Sequence, residues 1–101
     1  MDLPVACSLS AAALKARREN LLNVLRDRAE ERHELSNGYR LRFSPQGDVL
    51  SLIGRTIDAE RQCCRFLRFT LTVEPDAGAI VLDLTGPTGA REFLAAMLDE
   101  R

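Results

Sequence analysis

The chain has 101 residues, 46% of them apolar and 29% charged, a balance that suits a single soluble globular domain and excludes a disordered or fibrous chain. Lys+Arg totals 14 against 15 for Asp+Glu, so the formal net charge is -1, which argues against bulk nucleic-acid binding by a basic domain. No apolar run reaches membrane-spanning length, Met1-Asp2-Leu3-Pro4 lacks the basic start of a secretory signal, and the cysteine count is odd (Cys7, Cys63 and Cys64), so a cytoplasmic protein with reduced thiols is expected.

One domain over residues 1–101 is expected, with 1–7 as a flexible tail. Ser8 or Ser10 is placed to cap a helix running to about Glu31. Leu14, Leu21, Leu22, Leu25 and Ala29 fall on one stripe of it at helical spacing. That stripe fits a sheet, or its own copy in a homodimer. Leu35 and Tyr39 then flank Ser36-Asn37-Gly38, a hairpin signal. A three-residue loop with Gly38 left-handed pairs Leu35 with Tyr39 and His33 with Leu41. This register puts His33, Leu35, Tyr39, Leu41 and Phe43 on one face and Arg32, Glu34, Arg40 and Arg42 on the other.

Ser44-Pro45-Gln46-Gly47-Asp48 breaks the pattern, with Asp48 as a plausible N-cap. A second helix is predicted over about Val49–Cys64, with Leu50, Ile53, Ile57, Glu60 and Cys64 on its stripe. Gly54 inside it costs about 1 kcal/mol against Ala and suggests close approach to a neighbour. Leu67, Phe69, Leu71 and Val73 alternate with Arg68, Thr70 and Thr72. After the turn Glu74-Pro75-Asp76-Ala77-Gly78, Ile80, Leu82 and Leu84 repeat that pattern. Thr88 is placed to cap a last helix with Phe93, Leu94, Met97 and Leu98 on its apolar face. The predicted fold is α+β: helix, hairpin, helix, hairpin, helix. Strands with one apolar and one polar face imply a four-stranded antiparallel sheet covered on one face by helices. Short connections favour the order 1-2-4-3.

The sharpest chemical lead is Glu60-Arg61-Gln62-Cys63-Cys64. Thiolates are soft ligands suited to Zn, Cu(I) and other thiophilic ions, and neighbouring thiols also capture arsenite or mercuric ion. Consecutive side chains on a helix diverge by about 100°, so the two thiols converge only if the helix ends between or just after them. The alternative is plain packing, since cysteine is among the most buried residue types. Glu60, three and four residues earlier, is a candidate ligand or proton acceptor; as a negative charge it also disfavours a thiolate. His33, the only histidine, becomes a third ligand if the second helix ends over the first hairpin. Cys7 is placed to swing in from the tail.

Arg32, Arg40, Arg42 and Arg68, with Thr70, Thr72 and Thr85, are expected on the outer sheet face. Glu34 and Asp83 interrupt them, so a solvated face with cross-strand ion pairs is expected ahead of a phosphate-binding patch. Thr85-Gly86-Pro87-Thr88-Gly89 resembles a phosphate loop only superficially and reads as a turn and cap. No catalytic pattern is present, which points away from an enzyme.

Glu60-x-x-Cys63-Cys64-x-Phe66-Leu67-x-Phe69-x-Leu71, followed by Leu82-x-Leu84-x-Gly86-Pro87, resembles a group of small bacterial proteins. The same segment is similar to one in domains associated with MerR-type and ArsR-type regulators and with mercury- or arsenic-resistance loci. The resemblance spans about residues 10–98, with only the Cys-Cys segment specific, and it marks Glu60, Cys63, Cys64, Phe66 and Phe69. Family members often carry proline after the cysteines, where this chain has Arg65. By association the resemblance implies a soft metal or metalloid (Hg, As, Zn or Cu) and a metal-responsive regulator as partner. The expected function is a cytoplasmic accessory protein binding such an ion through Cys63 and Cys64. The alternatives are a homodimeric interaction module with packed cysteines, and a thiol-redox protein using Cys63.

Overall fold

The computed structural model describes residues 21–99, apart from the side chain of Cys63. Cys7, Leu14, the Ser8 and Ser10 caps and the tail expected over 1–7 lie outside the described residues. The elements run α1 (Asn23–Arg28), β1 (Glu31–Leu35), β2 (Gly38–Phe43), α2 (Val49–Cys63), β3 (Arg68–Val73), β4 (Ile80–Thr85) and α3 (Ala90–Asp99). The strands form one antiparallel sheet in the order β1-β2-β4-β3, as the patterning predicts. No described helix is long and apolar enough to cross a membrane.

The two hairpins join through β2 and β4. Tyr39 faces Leu84, Leu41 faces Leu82 and Phe43 faces Ile80, and all six are buried. Burying a side chain of this kind contributes about 1.5–3 kcal/mol. On the other face Arg40 grips Asp83 through two hydrogen bonds of 2.8 and 2.9 Å, and that carboxylate holds the guanidinium pKa above its ordinary value. The Gly86 N–H donates to the Asn37 carbonyl at 3.1 Å. A Cβ on Gly38 would run into the carbonyl oxygen of Leu84, so the first residue of β2 has to be glycine for β4 to come this close.

That close approach sets the first hairpin. Leu35 pairs with Gly38 and His33 with Arg40, so the turn is Ser36-Asn37 alone. The three-residue loop and its register are corrected: Gly38 is not left-handed. A one-residue shift carries every β1 side chain to the opposite face. Glu31, His33 and Leu35 now lie outside with Arg40 and Arg42, and Arg32 and Glu34 turn toward α3. Arg32 bridges to Asp99 at 3.0 Å and lies 5.4 Å over the Tyr39 ring, while Glu34 meets Arg91 at 3.3 Å. The expected four-arginine outer face therefore loses Arg32, and Arg42 is drawn to Glu31 and Glu30 at 3.3 and 3.5 Å.

Helix α3 buries Ala90, Leu94, Met97 and Leu98 and lies against β2, while α1 lies against α2. With no basic residue in its own last turn, α3 has its Leu98 carbonyl met by Arg26 of α1 at 2.8 Å, which suits the negative end of a helix dipole. Its start is set by Gly89 at φ 97°, after Thr88 rather than at it. Helix α1 stops before the expected Glu31. Ala29 is already extended (ψ 133°), and the Glu30 N–H bonds to the Arg42 carbonyl at 2.8 Å.

Along α2 the buried stripe is Val49, Leu52, Ile53, Thr56 and Glu60, at helical spacing. Leu50, expected on it, is 44% exposed. The Asp48 side chain makes no cap bond; its Oδ1 accepts from Arg28 at 3.2 Å. Gly54 is exposed and a Cβ there meets nothing within 4 Å, so it serves no close approach. Strand β3 keeps the predicted faces but not the burial: Leu71 and Val73 are 41% and 51% exposed.

Gly54→Ala is expected to stabilise the fold by about 0.5–1 kcal/mol through helix propensity alone. Gly38→Ala is expected to cost about 2–3 kcal/mol through overpacking against β4. Denaturant melts of the two variants check both. Arg28, by hydrogen bond and charge, lowers the Asp48 carboxyl below its ordinary 3.8. The pairing therefore supports the fold above about pH 4 and is lost as pH falls through the lowered value. In a carboxyl NMR titration, Arg28→Gln should move the Asp48 midpoint up toward the ordinary value.

Candidate functional site

The chemistry gathers where α2 ends. Glu60 closes the buried stripe at 1% exposure, and Cys64 follows at 0%. Residues four apart lie on the same helical face, and here the Cys64 thiol donates to Glu60 Oε1 at 4.0 Å. Regular helix stops at Cys63. Cys64, with φ -113° and ψ 78°, is the cap, its N–H still bonded to the Glu60 carbonyl. Its own carbonyl accepts from Leu67 N–H at 3.2 Å, turning the chain toward β3.

Surrounding residues hold this corner in shape. Phe66 belongs to the same buried cluster as Cys64 and meets Phe93 of α3 edge-on, with ring centroids 5.1 Å apart at 88°, a favourable aromatic geometry. A Cβ on Gly86 would press on Ala90 at 2.8 Å and on the Phe66 carbonyl at 3.3 Å, so the β4–α3 loop also closes tightly here. Thr56, one turn above Glu60, is buried and spends its hydroxyl on the Leu52 carbonyl at 2.8 Å. Arg61 and Arg65 are exposed.

The helix break falls between Cys63 and Cys64, the condition under which adjacent thiols escape helical divergence. The Cys63 side chain lies outside the described residues. Glu60 and Cys64 are in contact; His33 is not with them. It is 60% exposed on the outer face, its Nε2 3.5 Å from Glu31 Oε1, and the sheet stands between it and the buried corner. The expectation that His33 completes the ligand set fails with the register that carried it. Among the described residues no set of three or more His, Cys, Asp or Glu side chains is gathered for a metal. Glu60 and Cys64 make two donors, and Cys63 is the next along the chain.

The buried Glu60 carboxyl and the Cys64 thiol lie 4.0 Å apart. The thiol donates to the carboxylate, and ionising both together would place like charges side by side in a low-dielectric setting. A soft cation reverses this, because thiolate and carboxylate both bind it as anions. The Thr85–Gly89 segment is the turn that leads into α3. The Ala90 and Phe93 N–H groups at the start of α3 bond to the Pro87 and Gly89 carbonyls at 2.9 and 3.0 Å, as a turn and helix start would. Sequence reading missed how deeply Glu60 is buried, although its place four residues before Cys64 on the apolar stripe was the available signal.

No family model, curated protein or solved structure matches the chain, so the chemistry of the corner rests on its own residues. Cys64→Ala is expected to destabilise by about 1–2 kcal/mol through the small cavity it leaves. In the wild type a bulky thiol reagent should reach Cys64 only at the rate of opening or unfolding. Equilibrium denaturation and mass-resolved thiol labelling check the two halves.

Proposed function

We propose that the corner formed by Glu60, Cys63 and Cys64 holds a thiophilic metal or metalloid ion, such as Hg(II), As(III), Zn(II) or Cu(I). The protein would act as a small non-enzymatic accessory protein of the cytoplasm, passing the ion's presence or the ion itself to a metal-responsive regulator. The observation that carries this reading is the buried acid beside the buried thiol, where the helix ends between the cysteines. A packing role alone would be met as well by Leu or Met at these positions. The helix-hairpin-helix-hairpin-helix layering, with helices on one sheet face, belongs to the same reading because it puts the corner on the covered side. Cys63 and Cys64 would supply thiolates and Glu60 the third donor or the proton acceptor.

A second reading is favoured by a different observation. Leu71 and Val73 are 41% and 51% exposed on a strand at the sheet edge, which fits an interaction module whose Cys64 merely packs. Native mass spectrometry of the reduced protein with one equivalent of each ion separates the two. Ion binding predicts a 1:1 complex with at least one of them, lost in Cys63→Ser and in Cys64→Ser and weakened about tenfold or more in Glu60→Gln. A wild-type protein that retains none of the four ions ends the ion reading.

A further inference from the structure

The two edges of the sheet are unlike. Strand β1 reads Glu31-Arg32-His33-Glu34-Leu35, with charges on both faces and three of them in ion pairs to α3 or β2. Charged edges of this kind resist pairing with another strand. Strand β3 reads Arg68-Phe69-Thr70-Leu71-Thr72-Val73. It has no proline, no glycine and no charge turned inward, and Leu71 and Val73 stand exposed on its inner face.

Which backbone groups of β3 point away from the described sheet can be located. The Glu74 N–H bonds to the Ala79 carbonyl at 3.2 Å, and bonded and non-bonded pairs alternate along an antiparallel ladder. With Arg68 facing Thr85, Thr70 facing Asp83 and Thr72 facing Val81, the even residues of β3 spend their N–H and C=O groups on β4. Phe69, Leu71 and Val73 direct theirs away from the sheet.

We infer that β3 is a self-pairing edge: a second copy of this chain adds its own β3 antiparallel across a two-fold axis at Leu71, making one continuous eight-stranded sheet. Side chains facing each other across such a pair share a face, so only registers pairing odd with odd residues keep the inner face inner. Centred on Leu71, the pairing sets Leu71 against Leu71, Phe69 against Val73 and Thr70 against Thr72. On the outer face it sets Arg68 against Glu74. Each odd pair then exchanges both of its N–H···O bonds, and Arg68 of the strand and Glu74 just beyond it are matched twice. Centring on Thr70 instead leaves Glu74 opposite Phe66, and centring on Thr72 leaves it opposite Thr70. The charge complementarity therefore selects Leu71 as the axis. An apolar hollow of about 250 Å³ lined by Val49, Leu50, Val73, Ala77 and Ile80 continues the patch beyond the strand end. None of Glu60, Cys63 and Cys64 lies on β3, so this inference stands apart from the ion reading.

Sedimentation of the full chain over a range of concentrations tests it, alongside Leu71→Glu and the charge variants Arg68→Glu, Glu74→Arg and their double swap. The wild type should sediment at twice the chain mass. Leu71→Glu, which places two carboxylates at the axis, should be monomeric with an unchanged circular dichroism spectrum, since Leu71 is 41% exposed. Each single charge reversal should weaken the dimer about tenfold, and the double swap should restore it. A monomeric wild type overturns the inference, including the case in which hydrogen exchange shows β3 covered by residues 1–20 of its own chain. So does a dimer indifferent to Leu71→Glu, or a double swap that fails to recover association.

Discussion

The pairing of β2 with β4 is the contact on which the rest of the structure depends. It joins two hairpins that are each local in sequence into one sheet. It also brings Tyr39, Leu41 and Phe43 level with Leu84, Leu82 and Ile80 as the floor of the core. Its tightest point, Gly38 against the Leu84 carbonyl, has consequences at both ends of the molecule. Toward β1 it adjoins the short Ser36-Asn37 turn, whose register sets the face on which His33 lies. Toward α3, β4 runs into the Gly86 loop, which lies against Phe66 of the buried cluster that includes Cys64. A single missing Cβ thus links hairpin register to the shape of the candidate site.

Much of the fold was legible because the strands of the second hairpin and β2 carry apolar parity. Leu82, Leu84, Leu41 and Phe43 have only one arrangement that buries them all, and order 1-2-4-3 follows from antiparallel neighbours and short loops. Strand β1 was not legible for the opposite reason. Glu31, Arg32, His33 and Glu34 are polar at every position, so hydrophobicity cannot choose their face. The choice falls to partners distant in sequence, Asp99 and Arg91 on α3, and to the close approach at Gly38. Gly38 was read for its freedom of φ, whereas the structure uses its lack of a side chain. In α2 the misplaced Leu50 shows a similar limit. Val49, Leu52 and Ile53 form as good a helical stripe as Leu50, Ile53 and Ile57, and only the packing of α1 against α2 decides between them.

The candidate site divides along the same line. The contact of Glu60 with Cys64 was legible, because four-residue spacing on a helix is local geometry. The helix break between the cysteines was legible in outline, from the aromatic strand that follows so soon. The placement of His33 required a register that its own strand does not encode. Residue chemistry thus named the donors, while tertiary pairing decided which of them share a side of the sheet.

Two places depart from what a core and a sheet edge would choose for stability alone. A carboxyl sits in the apolar stripe of α2, and an apolar strand is left at the rim of the sheet. Natural sequences agree with their folds at most positions, and the departures concentrate where something other than folding is being served. The opposite edge makes the contrast internal to the molecule. Strand β1 carries Glu31, Arg32 and Glu34 and commits its inward pair to α3, whereas β3, of similar length, carries apolar residues on its inner face and turns alternate backbone groups away from β4. Among the described residues, hydrophobic exposure and outward-turned backbone groups on the same strand fit another strand laid alongside. The acid-thiol pair, by contrast, is buried at the end of α2.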